Sequence, residues 1–259
     1  GLDGGGITPT GASVGTKQGF SIIGYTGSGS NSSFSHGLGT NPAFMIFKNR
    51  DAGEDWCVYH VDIQTGSTRW TEGNYALLLN KKDHYAYGTT FFANTFPTTS
   101  LVKVGTSGVV NTSGQDYIAY IWTDVPGLQR FGKYIGRGGD NYVYLGFRPK
   151  LIMCKRYVAN SSPDTSTDYT SWSIYDTTRN TYNGETPNQL WWNCAQGEGY
   201  RGNCSATSSL GDMRIEAHAT GFYMDGPGSS VNADTGGYIY AAWADQPEGN
   251  IYGAQSLAR

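Results

Sequence analysis

The sequence predicts an all-β fold, a β-sandwich architecture built from two tandem, structurally equivalent repeats. Three observations carry this prediction: the composition, the spacing of turn sequences and an internal repeat. The chain of 259 residues contains 37 glycines and 19 tyrosines, which suit tight turns and half-buried strands respectively. Turn sequences recur about every ten residues, as at 27–29, 37–39 and 136–139, a spacing typical of sandwiches and barrels.

The internal repeat consists of four blocks that occur in the same order in both halves of the chain. Within the last block, DYIAYIWTD (116–124) and GYIYAAWAD (237–245) mix aromatic, β-branched and small residues over nine positions next to Gly and Asp, which favours strands over helices. The paired blocks are PAFMIFK (42–48) with PKLIMCK (149–155), DWCVYH (55–60) with SWSIYD (171–176), YALLLN (75–80) with NQLWWN (188–193), and VNTSGQDYIAYIWTDVPG (110–127) with VNADTGGYIYAAWADQPE (231–248).

The repeat sets the domain boundaries. Residues 1–18 are polar and glycine-rich and are predicted to form a flexible lead-in, followed by a first β-repeat at 19–127 and a second at 128–259. A unit of more than about 100 residues is too long for a solenoid or a propeller blade, whose units are ~20–50 residues. The linker at Leu128 and Gln129 is short, so we expect the second repeat to pack against the first.

Composition also argues against several partners. The formal net charge is −3 and no cluster of Lys and Arg occurs, so nucleic acid is not expected as a partner. No run approaches the ~20 apolar residues that span a bilayer, so membrane insertion is not expected either. The sequence contains no zinc-type or EF-hand spacing, and we expect neither a metal nor a cofactor.

Candidate catalytic residues are isolated from one another in the sequence. GASVG (11–15) matches the G-x-S-x-G nucleophile elbow, but it lacks the buried strand and the helix that an elbow requires. A glycosidase would need two carboxylates across a cleft. The equivalent Asp124 and Asp245 precede Val-Pro and Gln-Pro, which indicates turn caps. We therefore expect no enzymatic activity. The four histidines, which form no metal-binding spacing, are His36, His60, His84 and His218.

Two groups of aromatic residues are expected to have different roles. The tryptophans repeated or placed within the blocks are predicted to belong to the structural core: Trp56, Trp122, Trp172 and Trp243. Aromatic and Arg residues in polar loops that differ between the copies are predicted to bind a ligand or receptor, because such residues are the usual anchors for glycans and protein partners. These candidates are Trp70, Tyr169, Tyr200 and Arg201.

Two of the four cysteines bracket a glycine-rich loop. Cys194 and Cys204 are candidates for a loop disulfide, and the alternative is two unpaired thiols, since the cysteine pattern alone does not reveal the compartment. Cys57 and Cys154 lie in apolar runs and are interpreted as small core residues.

In combination, the blocks resemble a repeat found at the C-terminal ends of tailed-phage tail-fibre or receptor-binding proteins, particularly those of marine phages and cyanophages. The motifs HGLGTNP, DWCVYH, ALLLN, VGTSGVVN and SGQDYIAYIW carry the resemblance, which covers the chain from Gly19 onward. The second copy departs from it at YLGFRPK, where the first has HGLGTNP, which leaves open whether both copies keep one surface role.

The resemblance implies a virion protein, a distal tail-fibre module that binds a host-surface receptor, either a glycan or an outer-membrane protein. It further implies contacts with other virion proteins and a homotrimeric assembly, and it supplies no catalytic residues. Two alternatives remain: a purely structural virion component, such as a capsid decoration or fibre connector, and a glycan depolymerase.

Overall fold

The structure, a computed structural model, describes residues 2–63, 75–82, 86–158, 171–181, 189–193, 214–228 and 230–244. The chain divides into two compact units, one of residues 1–79 and 85–124 and one of residues 80–84 and 125–259. The described residues are almost entirely strands and turns, which confirms the predicted all-β fold. Within the described part, no helix has the length and apolar character that a membrane span requires.

The first unit is built from two antiparallel sheets. The elements described in this unit are β1 (Gly11–Gly15), β2 (Phe20–Thr26), β3 (Ser32–Ser35), β4 (Phe44–Asn49), β5 (Cys57–His60), β6 (Tyr75–Leu78), β7 (Ala86–Tyr87), the single turn α1 (Thr89–Phe92), β8 (Leu101–Val104), the single turn α2 (Gly108–Asn111) and β9 (Asp116–Trp122). A seven-stranded sheet has the order β1-β2-β9-β4-β5-β6-β7, and β3 pairs with β8 in a second, smaller sheet.

The core of the first unit lies between these two sheets. Along β9, Tyr117, Ala119 and Ile121 are buried and alternate with partly buried residues, as the two-residue period of a strand requires. These side chains join Phe34 of the smaller sheet in one apolar cluster. The rings of Tyr25 and Phe34 stack with their centres 4.6 Å apart. The two layers therefore form a β-sandwich.

The lead-in differs from its prediction as a flexible segment. Residues 11–15 form β1 and pair over their full length with residues 20–24 of β2. Ile7 is buried in the core, and its backbone N–H donates to the Ser33 carbonyl at 2.8 Å. The first unit thus begins within residues 1–18, because the otherwise unpaired edge of β2 supplies hydrogen-bonding partners for an extended segment.

The second unit repeats the central arrangement of the first. Its described strands are β10 (Gln129–Ile135), β11 (Asn141–Tyr144), β12 (Pro149–Val158), β13 (Ser173–Asp176), β14 (Leu190–Trp191), β15 (Arg214–His218), β16 (Gly221–Asp225) and β17 (Gly237–Ala244). Its larger sheet has the order β10-β17-β12-β13-β14, which corresponds to β2-β9-β4-β5-β6, and its smaller sheet has the order β11-β16-β15.

Strand registers confirm the equivalence of the two copies. Trp122 of β9 lies opposite Phe44 of β4, and Trp243 of β17 lies opposite Leu151 of β12. Phe44 in turn lies opposite His60, as Leu151 lies opposite Asp176. These are the pairs that the sequence blocks align, so the repeat in the sequence is a repeat in the hydrogen-bonding pattern.

A buried asparagine closes the turn before β9. Asn111 is fully buried, and its side-chain amide donates to the carbonyls of Ser30 and Gly105 at 2.7 and 2.6 Å. Its side-chain oxygen accepts the backbone N–H of Ser28 at 2.7 Å. One side chain therefore satisfies three backbone groups from two separate segments, as buried polar groups require.

Asn232 occupies the equivalent position in the second unit and is also fully buried. It donates to the carbonyls of Gly139 and Gly226 at 2.7 and 3.0 Å. Its side-chain oxygen accepts from the Arg137 N–H at 3.1 Å and from the Asn141 amide at 3.0 Å. Both copies thus use the same residue for the same network.

Candidate functional site

The residues predicted to bind a receptor, Trp70, Tyr169, Tyr200 and Arg201, lie outside the residues that the structure describes. The same is true of Cys194 and Cys204, so the choice between a loop disulfide and two thiols stays open. The structure does place the predicted core tryptophans, the other cysteines and most of the histidines.

The four repeated tryptophans occupy two kinds of position. Trp172 is buried, with 1% of its surface exposed, and the Lys155 ammonium lies 5.3 Å from its ring centre. The equivalent Trp56 is partly buried. Trp122 and Trp243 are also partly buried, because they point to the sheet face opposite the core clusters.

Neither described cysteine has the environment of a nucleophile. Cys57 and Cys154 are unpaired and fully buried. Burial disfavours the thiolate and raises the pKa of both thiols, to about 12 for Cys154. Both side chains pack in the apolar cores of their units, as small hydrophobic residues do.

The buried histidines have structural hydrogen bonds. The Nε2 atom of His36 lies 3.1 Å from the Thr98 carbonyl, and its Nδ1 accepts the Leu38 N–H at 3.3 Å. His60 is buried too, and its Nδ1 accepts the Asp62 N–H at 3.1 Å. No group of three or more His, Cys, Asp or Glu side chains that could hold a metal occurs among the described residues.

The substitution His36→Leu is expected to reduce the loss of stability that acidification causes. Leu is chosen because Leu145, directly after β11, occupies the equivalent position in the second copy. Burial lowers the pKa of His36 in the folded state, although its bond to the Thr98 carbonyl opposes this. As the pH falls through about 6.5, the unfolded chain therefore binds more protons than the folded one, and the free energy of unfolding decreases. Urea denaturation at neutral and mildly acidic pH measures the difference, and an unchanged difference in the variant would contradict this role.

A small cavity in the second unit is too narrow for catalysis on a sugar. It measures about 20 Å³, the space of one water molecule, whereas ligand pockets measure about 300–1,000 Å³. Its polar lining includes Lys150, Tyr175, Asp176 and Asn180. Asp176 caps the following turn by accepting the backbone N–H groups of Thr178 and Arg179 at 3.0 and 2.9 Å, which is a structural role.

A surface of the smaller sheet of the second unit carries exposed aromatic residues. Tyr142 and Tyr144 alternate with buried residues along β11 and are 44% and 61% exposed. Strand pairing places Tyr142 beside Tyr223 of β16, and Tyr223 beside Glu216 of β15. A neighbouring row runs from Tyr144 through Gly221 to His218. We call this surface the tyrosine face, comprising Tyr142, Tyr144, Glu216, His218 and Tyr223.

Contacts within the tyrosine face hold the rings in place. The His218 ring lies 6.0 Å from the rings of both Tyr142 and Tyr223. The Tyr142 hydroxyl lies 2.8 Å from the Thr220 hydroxyl. Gly221 leaves space for the Tyr142 ring, since a Cβ there would come within 3.1 Å of it. The face is therefore pre-organised, which lowers the ordering cost of binding.

Carboxylates surround one end of this face. The Tyr223 hydroxyl donates to Asp140, and this bond, together with the nearby charges of Asp140, Asp225 and Glu216, raises the pKa of Tyr223 to about 12. At the other end, the Arg130 guanidinium lies 6.0 Å from the centre of the Tyr144 ring. The face thus combines flat apolar rings with hydrogen-bonding groups.

The first unit lacks the tyrosines at the equivalent positions. His36, directly after β3, and Leu145, directly after β11, occupy equivalent positions. The backbone N–H of His36 donates to the Ser100 carbonyl, and that of Leu145 donates to the Thr220 carbonyl. This equivalence aligns Ser33 with Tyr142 and Ser35 with Tyr144, and both serines are buried. The tyrosine face is therefore a property of the second copy alone. In the sequence, only the alternation in NYVYLG signals it, because the copies are too different there to be aligned without the structure.

Comparison with known families identifies the family of the chain. The model of a domain of unknown function, DUF7483, matches residues 3–247, so the chain belongs to this family. No curated protein and no solved structure matches the chain.

Proposed function

We propose that this member of the DUF7483 family is a non-enzymatic module that recognises a host-surface glycan through its tyrosine face, as the distal part of a phage tail fibre. The observation that carries the proposal is the pair of exposed tyrosines, Tyr142 and Tyr144, on strand β11. The phage setting, the virion location, the contacts with other virion proteins and the homotrimer rest on the resemblance of the sequence blocks.

A glycan fits this face for chemical reasons. The apolar faces of sugar rings stack on flat aromatic side chains, and sugar hydroxyls donate to carboxylates such as Glu216 and Asp140. Tyr142 and Tyr144 are two residues apart on one strand, so their Cα atoms are about 7 Å apart. Tyrosine provides a large contact area with few rotatable bonds, so little conformational entropy is lost on binding.

Replacing both Tyr142 and Tyr144 by Ala is expected to weaken attachment to host bacteria at least about tenfold, since truncating an interface hot spot, a class enriched in tyrosine, costs about 2 kcal/mol or more. Labelled protein and a panel of marine bacteria, followed by a glycan array, provide the measurement. Neither side chain belongs to the buried core cluster of the second unit, so the variant should remain folded.

The matched control is Trp192→Ala, which removes an aromatic side chain that is 53% exposed on the larger sheet side of the same unit. It should attach like the unmodified protein. If the double tyrosine variant is folded and attaches normally, the tyrosine face does not bind the receptor, and a purely structural virion role becomes the better hypothesis.

A further inference from the structure

We infer that the protein pairs with a second copy of itself through β11 of the second unit, edge to edge and in antiparallel orientation. The contact is formed by the backbone of β11, so it goes beyond the proposed glycan binding and does not depend on it. Three features of this strand lead to the inference: an edge without a described partner, exposed tyrosines beside that edge, and opposite charges at its two ends.

The outer edge of β11 carries backbone groups that can pair with another strand. The Leu145 N–H donates to the Thr220 carbonyl, so the backbone groups of residues 145, 143 and 141 face β16 in this antiparallel pair. The N–H and carbonyl groups of Tyr142 and Tyr144 therefore point away from the sheet. No residue that the structure describes forms a backbone hydrogen bond with them. An edge of this kind is a template for the addition of a strand.

The first unit covers the same edge with its own chain. Ser33 is equivalent to Tyr142, and its carbonyl accepts the Ile7 N–H at 2.8 Å. The approach is close, since a Cβ at Gly5 would lie 2.3 Å from the Ser33 carbonyl oxygen. In the second unit, only residues 123–128 connect β9 to β10, which is too short for a segment equivalent to the lead-in. The edge of β11 is therefore available to a partner chain.

A second copy of β11 fits this edge because the strand is self-complementary. The outward-facing groups pair when Tyr142 of one copy lies opposite Tyr144 of the other. This register places a two-fold axis at Val143 and forms about four backbone hydrogen bonds. The exposed rings then meet in two cross-strand pairs, a favourable arrangement of aromatic residues. A symmetric contact of this kind uses the same surface on both copies and gives a closed dimer.

Charges at the two ends of β11 favour the antiparallel orientation. At one end, the Arg130 guanidinium lies 6.0 Å from the centre of the Tyr144 ring and donates to the Leu145 carbonyl at 3.4 Å. At the other end, Asp140 is exposed and accepts the Tyr223 hydroxyl proton. Asp140 precedes Tyr144 by four residues, about 13 Å along an extended chain. Antiparallel pairing brings Asp140 of each copy towards Arg130 of the other, whereas parallel pairing would bring like charges together.

Sedimentation equilibrium at concentrations up to ~1 mM tests the inference, because so short an interface is expected to be weak. The unmodified protein should form a reversible dimer. Arg130→Glu should weaken the dimer at least about tenfold, since it places two carboxylates side by side. The double variant Arg130→Glu with Asp140→Arg exchanges the two charges and should restore the dimer. The matched control is Lys133→Glu, which reverses an exposed charge on β10 and should leave the dimer unchanged. Circular dichroism checks that each variant is folded.

Amide hydrogen exchange measured by NMR tests the register. The N–H groups of Tyr142 and Tyr144 should exchange rapidly in the monomer and slowly in the dimer, whereas the Val143 N–H, which faces β16, should be protected in both. A protein that stays monomeric, or an oligomer in which both tyrosine amides remain unprotected, would overturn the inference. Protection of both amides in the dilute monomer would also overturn it, because another segment of the same chain would then cover the edge. A trimer that Arg130→Glu does not affect would have the same consequence.

Discussion

Replacing Asn232 by Ala is expected to lower the free energy of unfolding by about 4 kcal/mol, one of the largest effects of a single substitution in the second unit. The change removes four hydrogen bonds and leaves the carbonyls of Gly139 and Gly226 and the Arg137 N–H without their partner. Each buried group left unsatisfied costs about 1–3 kcal/mol, and water entering the space recovers part of this. Urea denaturation followed by circular dichroism measures the loss.

Asn111→Ala should have an effect of the same size, since Asn111 forms the equivalent network in the first unit. Asn41→Ala is the control, because Asn41 is exposed and its replacement should change stability by less than about 0.5 kcal/mol. If Asn232→Ala and Asn41→Ala were equally stable, the network would contribute nothing to folding.

The repeat blocks predict eight of the described strands and their equivalence between the two copies, and the reason is physical. Residues that pack in equivalent places of two cores face the same constraints, so pairs such as Trp122 and Trp243 retain both identity and register. The identity of Asn111 and Asn232 is visible in the sequence as well. The hydrogen-bonding role of these asparagines is not visible in the sequence, because it depends on backbone groups from distant segments that only the folded chain brings together.

The lead-in and the tyrosine face could not be predicted in the same way. GASVG contains only two apolar residues between glycines, too few to predict a strand, and its strand forms because β2 has an unpaired edge. The alternation in NYVYLG is consistent with a strand, yet the sequence does not show whether the outer residues are covered. In the first copy the equivalent Ser33 is buried, whereas in the second copy Tyr142 is open to solvent.

The divergence between the copies connects fold and proposed function. The cores, the asparagine networks and the tyrosines that donate to the turns are shared, as in the bonds from Tyr25 to the Val110 carbonyl and from Tyr134 to the Val231 carbonyl. Positions that take no part in these contacts can differ between the two copies. For this reason the sequence predicts binding residues in the loops that differ between the copies. The structure shows that the tyrosine face, which lies on strands, differs between the copies as well.

Replacing Gly136 by Ala is expected to destabilise the protein by about 3 kcal/mol, the other large effect among single substitutions in the second unit. A Cβ at Gly136 would lie 2.1 Å from the Ala233 carbonyl oxygen, and the backbone on both sides is held by hydrogen bonds. The Gly136 N–H donates to the Gly236 carbonyl at 2.8 Å, so neither segment can move apart without breaking a bond. Overpacking of this kind costs about 1–3 kcal/mol or more.

Gly139→Ala, three residues away in the same turn, is the matched control for this prediction. A Cβ at Gly139 would have no atom within 4 Å, so the substitution should be neutral or slightly stabilising through the unfolded state. The first unit offers an independent repetition of the test, since a Cβ at Gly27 would lie 2.1 Å from the Thr112 carbonyl oxygen. Thermal denaturation of the three variants should therefore place Gly136→Ala and Gly27→Ala well below Gly139→Ala. Equal stability of all three would show that the turns can relax, and that the close approach seen in both copies does not constrain the residue at these positions.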